Sequence, residues 1–333
     1  MSKKIFCVLI IAVFYLLIIP TPVEASFSVT QETSFTGNAA GDNLHYIATG
    51  DVNGDGIEDL ALLTTAGNGK VYIFFGETNL DTKSLNNADV VLSGESGAKL
   101  TSSISLVDVN GDGYDDILIG SASYNSYQGR VYIFLGGHSL SNKSSSQADY
   151  VLTGNAPLDG FGMSVSAADV NGDGYNDIVV GAPMYPNLDT QGQVFLFLGG
   201  PSLSNKSAGQ ADAVFTGEQP FDWFGMGNAK FADLDNDGYK DIVVSGQNST
   251  CNSCTVKGKV YVFKGGKTIT SKPAASADYI LTGELAPDGF GASFDVGDFN
   301  GDEIQDLLAG SASYPAHGDK GRAYVFYGGS GFT

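Results

Sequence analysis

The sequence predicts an all-β protein assembled from a repeated four-stranded unit, and three observations carry that expectation. Glycine is abundant, at 45 residues, and aromatics reach 11%, while short apolar runs take the place of long helical stripes; this composition suits many tight turns between short strands. One Asp-rich loop recurs, beginning at residues 51, 108, 169, 233 and 298, at intervals of 57 to 65 residues. The same succession of strand-like runs accompanies each copy, and a fixed period of that length signals a propeller or a similar array.

The loop itself is clearest as Asp169-Val-Asn171-Gly-Asp173-Gly174-Tyr-Asn-Asp177. Oxygen-bearing side chains fall at positions 1, 3, 5 and 9, and a glycine at position 6 permits a sharp turn. Hard cations such as Ca²⁺ take six to eight oxygen ligands, which this alternation can supply. An EF-hand is excluded, because position 12 is Val180 instead of a bidentate Glu, and Ile178-Val179-Val180 reads as a buried strand. The other copies supply Asp51, Asn53, Asp55 and Asp59; Asp108, Asn110, Asp112 and Asp116; Asp233, Asp235, Asp237 and Asp241; and Asp298, Asn300, Asp302 and Asp306. Up to five Ca²⁺ ions are expected. The last copy carries Glu303 where the others have glycine, so strain is expected there.

In the third repeat a strand around Phe161-Gly162-Met163-Ser164-Val165 enters the loop, and Ile178-Val179-Val180 leaves it. Val194 to Leu198 forms a third strand and Ala213 to Thr216 a fourth. The runs 131–135, 260–263 and 323–327 fill the third slot elsewhere, and 150–153 and 279–282 the fourth. The fifth repeat stops after its third strand, while Thr33-Ser34-Phe35-Thr36-Gly37 resembles a fourth strand with no repeat before it. Pairing those ends would remove two exposed edges, so the expectation is a closed β-propeller of five blades.

Residues 1–25 read as a signal peptide, with Lys3 and Lys4 ahead of an apolar run from Ile5 to Ile19 and a small residue, Ala25, at the cleavage site. That run is shorter than the roughly 20 residues a membrane-spanning helix requires. Residues 26–333 then form one exported domain. The net charge of −20 argues against nucleic acid, as does the lack of a basic cluster. Cys251 and Cys254 remain after cleavage and are expected to close a small disulfide; a redox centre lacks a βαβ context, and zinc lacks further ligands. Asn142, Asn205 and Asn248 fit the glycosylation sequon, the first two within a repeated linker.

With four antiparallel strands per repeat, the Asp-rich loops and the polar linkers share one face. The opposite face carries Tyr124, Tyr127, Tyr185, Phe221, Trp223, Tyr314 and His317. The tyrosines at 124, 185 and 314 recur at one repeat position and suggest framework packing, whereas Trp223 and His317 occur once and are the candidate ligand contacts. Asp159, Asp222 and Asp288 recur ahead of Phe-Gly pairs; they are either turn-formers or, if they face the channel, carboxylates suited to glycoside chemistry. The three histidines share no motif.

Phe161-Gly162 with Gly181-Ala182-Pro183 around the Asp-rich loop resembles the FG-GAP repeat of the integrin α-chain N-terminal propeller. Phe224-Gly225 and Phe290-Gly291 repeat the first half; Gly120-Ser121-Ala122 and Gly310-Ser311-Ala312 stand in for the second. The integrin propeller has seven blades, against five repeats here. The resemblance implies extracellular calcium binding and an adhesion-type role toward a protein or glycan, possible beside a second chain. The alternatives are a carbohydrate-active enzyme on the same scaffold and a purely structural surface protein.

Overall fold

The computed structural model describes residues 33–38, 40–78, 83–186, 190–246, 257–286, 288–315 and 320–332. The leader, Cys251, Cys254, Asn248 and His317 lie outside that set. Among the described residues, no helix is long and apolar enough to cross a membrane.

Five blade-like sheets follow one another along the chain. Sheet 1 comprises Leu44–Gly50, Asp59–Thr64, Lys70–Phe74 and Val90–Ser93. Sheet 2 comprises Ser103–Val107, Asp116–Ser121, Arg130–Phe134 and Tyr150–Thr153. Sheet 3 comprises Ser164–Ala168, Asp177–Ala182, Gln193–Phe197 and Ala213–Thr216. Sheet 4 comprises Lys230–Ala232, Asp241–Gly246, Lys259–Phe263 and Tyr279–Thr282. Sheet 5 has three strands, Phe290–Gly297, Asp306–Ser311 and Arg322–Phe326. All are antiparallel meanders, as the sequence period requires.

The inner sheets, 2 to 4, are apolar on both faces because they are covered on both sides. In Gln193–Phe197, Val194 and Leu196 pack toward Ile242, Val244 and Phe263 of sheet 4. Phe195 and Phe197 pack toward Val131, Ile133 and Leu152 of sheet 2. A strand buried on two faces reads as a continuous apolar run instead of an alternation. Each such side chain contributes roughly 1.5–3 kcal/mol on burial. The Phe of each Phe-Gly pair sits between these layers: the Phe161 ring lies edge-on to Phe195 at 5.5 Å and to Phe197 at 6.2 Å. Phe161-Gly162 precedes the first strand of sheet 3, which begins at Ser164; Phe161 instead bridges Gly129 of sheet 2. Gly129 must be glycine, since a Cβ there would lie 1.9 Å from the Phe161 carbonyl oxygen.

The polar linkers contain an element that the sequence reading missed. Lys143–Ser144, Lys206–Ser207 and Lys272–Pro273 each add a short parallel strand to the outer edge of the preceding sheet. Asn142 and Asn205 reinforce it, their side-chain oxygens accepting the N–H groups of Val91 and Val151 at 2.7 and 2.8 Å.

The ends differ from the expectation. Phe35–Thr36 does take an outer-strand position, but its partner is Lys83–Ser84 of the first linker. Arg322–Phe326 pairs with Asp306–Ser311 alone among the described strands. Among the described residues the expected pairing of the N-terminal strand with the last repeat is therefore absent, and the sheets do not close. The reason is that the short N-terminal strand finds its hydrogen bonds locally, as the fourth strands of sheets 1 to 3 do with the next linker. A shallow depression of about 380 Å³ is nonetheless shared by all five repeats, through Tyr46, Ser102, Met163, Met226 and Phe294 among others.

Candidate metal centres

In each repeat the Asp-rich loop joins the first strand to the second, and its last carboxylate opens the second strand. Asp59, Asp116, Asp177, Asp241 and Asp306 are completely buried. Each accepts two backbone N–H groups; for Asp177 these come from Val170 at 3.1 Å and Gly199 at 2.9 Å. The second donor belongs to the Gly-Gly pair that ends the third strand, so this aspartate ties the loop to two strands. The first carboxylate organises the turn: Asp169 accepts from Gly172 and Asp173 on Oδ1 and from Gly174 on Oδ2. The Asn171 Oδ1 accepts the Asp173 N–H at 2.8 Å, and its Nδ2 donates to Asp173 Oδ2 at 3.0 Å. Loops 1, 2 and 5 repeat this pattern through Asn53, Asn110 and Asn300.

The electrostatics favour a cation. Burial pushes Asp116 up to about 7, Asp177 to about 6 and Asp241 to about 7, with the other loop carboxylates adding to the shift. Asp59 is raised for the same reasons. Carboxylates held in this way are destabilised as anions until positive charge is placed beside them. The donors are carboxylate and amide oxygens, the set that suits Ca²⁺. In the fourth loop, carboxylate oxygens of Asp233, Asp235 and Asp237 lie within 4.8 Å of one another. Asp235 Oδ1 there is buried with no hydrogen-bond partner, an orphaned acceptor that a cation would satisfy. The residues fit the ion, and a bound Ca²⁺ would supply the charge that these oxygens lack.

Successive loops are also joined to each other, which sequence reasoning did not find. Asp115, at position 8, accepts from Asp108 N at 3.0 Å and from Asp51 N of the preceding loop at 2.9 Å. Asn176 joins loops 2 and 3, its Oδ1 accepting the Asp169 N–H at 3.1 Å and its Nδ2 donating to the Asp108 carbonyl at 2.7 Å. The position 7 tyrosine lies against the position 4 glycine of the loop before it: a Cβ on Gly111 would lie 2.4 Å from the Tyr175 ring. The signal was the recurrence of Tyr at that position, readable only once adjacent loops were known to touch. Glu303 has φ 69, so the strain expected at the fifth loop is present.

On the opposite face, Trp223 is half-buried and Phe221 beside it is 54% exposed. The recurrent tyrosines serve the framework, as expected: Arg130 lies 3.8 Å over the Tyr124 ring and Arg322 lies 3.6 Å over Tyr314. Asp159, Asp222 and Asp288 are buried instead of facing the central depression. Asp222 accepts the N–H groups of Glu218 and Gln219, both at 2.9 Å, and Asp288 those of Leu285 and Phe290. For Asp222 and Asp288 this is the turn-forming role.

Comparison with known families places these repeats. The FG-GAP repeat model matches residues 47–74, 100–134 and 161–197, and the FG-GAP-like repeat model matches 233–309. This chain is an FG-GAP repeat protein. Among its relatives is integrin alpha-5 of Xenopus laevis, 33% identical over 212 residues, which are 60% of this chain and 19% of that protein. The phosphatidylinositol-glycan-specific phospholipase D of Bos taurus is 32% identical over 201 residues, 58% of this chain and 23% of the relative. The Rattus norvegicus form is 27% identical and matches 82% of this FG-GAP chain but 35% of its own length. The chain thus spans well under half of these relatives. Of solved structures, the V. cholerae biofilm matrix protein Bap1 is similar at a TM-score of 0.34 and 17% identity, over 72% of this chain and 28% of that one. A Bacillus licheniformis rhamnogalacturonan lyase is similar at 0.37 and 14%, over 79% and 57%.

Proposed function

We propose that this FG-GAP repeat protein is a secreted, calcium-stabilised binding module of the adhesion type. In this reading it engages a protein or glycan through the face opposite its acidic loops. The observation that carries the calcium part is the fully buried carboxylate repeated in all five loops, at Asp59, Asp116, Asp177, Asp241 and Asp306. The integrin relatives support the adhesion part at the level of family. Phe221, exposed beside Trp223, and Tyr127, exposed on a neighbouring loop, offer aromatic contact area of the kind that anchors interfaces. The module is non-enzymatic in this reading, because Asp222 and Asp288 are committed to backbone turns and Asp159 is buried away from the central depression.

Thermal melting in millimolar Ca²⁺ and in chelator tests the calcium part. A site at ten times its Kd contributes roughly 1.4 kcal/mol, so five independent sites would contribute about 7 kcal/mol. Equal melting temperatures in the two conditions would refute it. The binding part is tested by a glycan array and by cell-surface binding, each run with Phe221→Ala and Trp223→Ala. Binding that survives both substitutions would move the contact to another surface.

A further inference from the structure

Besides Asn236 at position 4, where the other loops have glycine, the fourth repeat departs from the others in two places. Position 3 is Asn53, Asn110, Asn171 and Asn300 in four repeats and Asp235 in the fourth. The residue after the third strand is Phe75, Leu135, Leu198 and Tyr327 in four repeats and Lys264 in the fourth. The two departures touch: Lys264 Nζ forms an ion pair with Asp235 Oδ2, and the Tyr279 hydroxyl donates to the same oxygen at 3.4 Å. Elsewhere the position 3 side chain accepts the position 5 N–H, as Asn171 does from Asp173 at 2.8 Å. In the fourth loop Asp237 N donates instead to Asp233 Oδ1, at 2.9 Å, and Asp235 is turned toward the lysine.

Charge bookkeeping gives the pair its meaning. At positions 1, 3, 5 and 9 loop 4 has four carboxylates where the others have three, and Lys264 offsets the extra one. We infer that Lys264 is a built-in cation for the fourth loop, engaging Asp235 and holding that loop's affinity for Ca²⁺ below what its four carboxylates would otherwise give. The inference rests on the calcium reading above. A single positive charge roughly 6 Å from a bound divalent ion, even at the dielectric constant of water, weakens binding by about tenfold.

Gly238 N donates to Asp233 Oδ2 at 2.8 Å and Gly174 N to Asp169 Oδ2 at 2.9 Å, so the two amides report equivalent points of loops 4 and 3. The experiment is a Ca²⁺ titration of the ¹⁵N-glycine-labelled protein followed at both amides. Lys264→Met is expected to lower the Ca²⁺ midpoint at Gly238 about tenfold and to leave that at Gly174 in place; Lys264→Gln removes the same charge if that variant misfolds. The double variant Asp235→Asn with Lys264→Met restores the pattern of the other loops and should bring the two midpoints together. A Gly238 midpoint unmoved in the single variants while Gly174 still responds would overturn the inference. No response at Gly174 either would remove the calcium reading itself, and the inference with it.

Discussion

Sheets 3 and 5 are written in nearly the same amino-acid pattern and end in different environments. The third strand of sheet 3, Gln193–Phe197, is buried from Val194 onward, with neighbours against both faces. The matching strand of sheet 5, Arg322–Phe326, is covered on the side of sheet 4 by Tyr324 and Phe326, while Ala323 and Val325 are exposed. At the other end of the array, Ile47 of sheet 1 is 69% exposed. Burial in a stacked array is therefore conferred by the neighbouring repeats, and the apolar pattern records only the capacity for it.

The largest effect that can break this comparison comes from placing a charge on each strand. Leu196→Asp puts an unpaired carboxylate in a fully buried position and should cost about 4 kcal/mol or more in urea unfolding. Val325→Asp, at 42% exposure, should cost about 0.5 kcal/mol. Equal losses would mean that the outward face of sheet 5 is covered in solution.

A second contrast uses pH. The raised carboxylates Asp116, Asp177 and Asp241 lie in sheets 2, 3 and 4. A folded-state pKa above the unfolded value favours the folded state while the group is protonated. That contribution is complete below pH 4 and disappears as the pH rises through about 6 to 7. In chelator the melting temperature should fall between pH 5 and pH 8 by this contribution. With saturating Ca²⁺ the fall should disappear, since the ion favours the deprotonated ligands. A chelator profile that rises over that interval would contradict the burial argument.

Much of this was legible before any coordinates. The alternation of Asp and Asn gave the loops, because oxygen ligands must recur at short fixed spacing, and the period gave the sheets. The framework role of the tyrosines at 124 and 314 was readable from recurrence. What stayed hidden depended on contacts between repeats. The parallel strand at Lys143–Ser144 has too little apolar content to announce itself and forms only because a neighbouring edge is open. Ring closure depends on the angle between stacked sheets, which no local pattern encodes. Asp235 and Lys264 each look like minor drift in a repeat until the structure sets them side by side.

Glycine at position 4 sharpens the comparison at smaller energy. Gly111 has φ 77 and faces the Tyr175 ring, whereas Gly301 has φ 82 and open space where a Cβ would go. Alanine at either must adopt a left-handed conformation, costing about 1 kcal/mol. Gly111→Ala must also displace the tyrosine that joins loops 2 and 3. It should lose about 2–3 kcal/mol in all, measured by urea unfolding in Ca²⁺. Equal losses at the two positions would show that the loop-to-loop contact adds nothing to stability.

The smallest expected effect is a gain. Glu303 occupies, at φ 69, the position that Gly174 fills at φ 91 in the third loop. Its backbone N–H still reaches Asp298 Oδ2, at 2.9 Å, so the loop keeps its shape by holding a non-glycine residue in the left-handed region. Glu303→Gly should release about 1 kcal/mol of that strain, partly offset by the greater freedom that glycine gives the unfolded chain. The melting temperature should rise by about 1–2 °C. Because the relief is conformational, the rise should appear in chelator as well as in Ca²⁺. A rise confined to Ca²⁺ would instead mean that the Glu303 carboxylate acts on the ion, and the strain account of the fifth loop would give way to an electrostatic one.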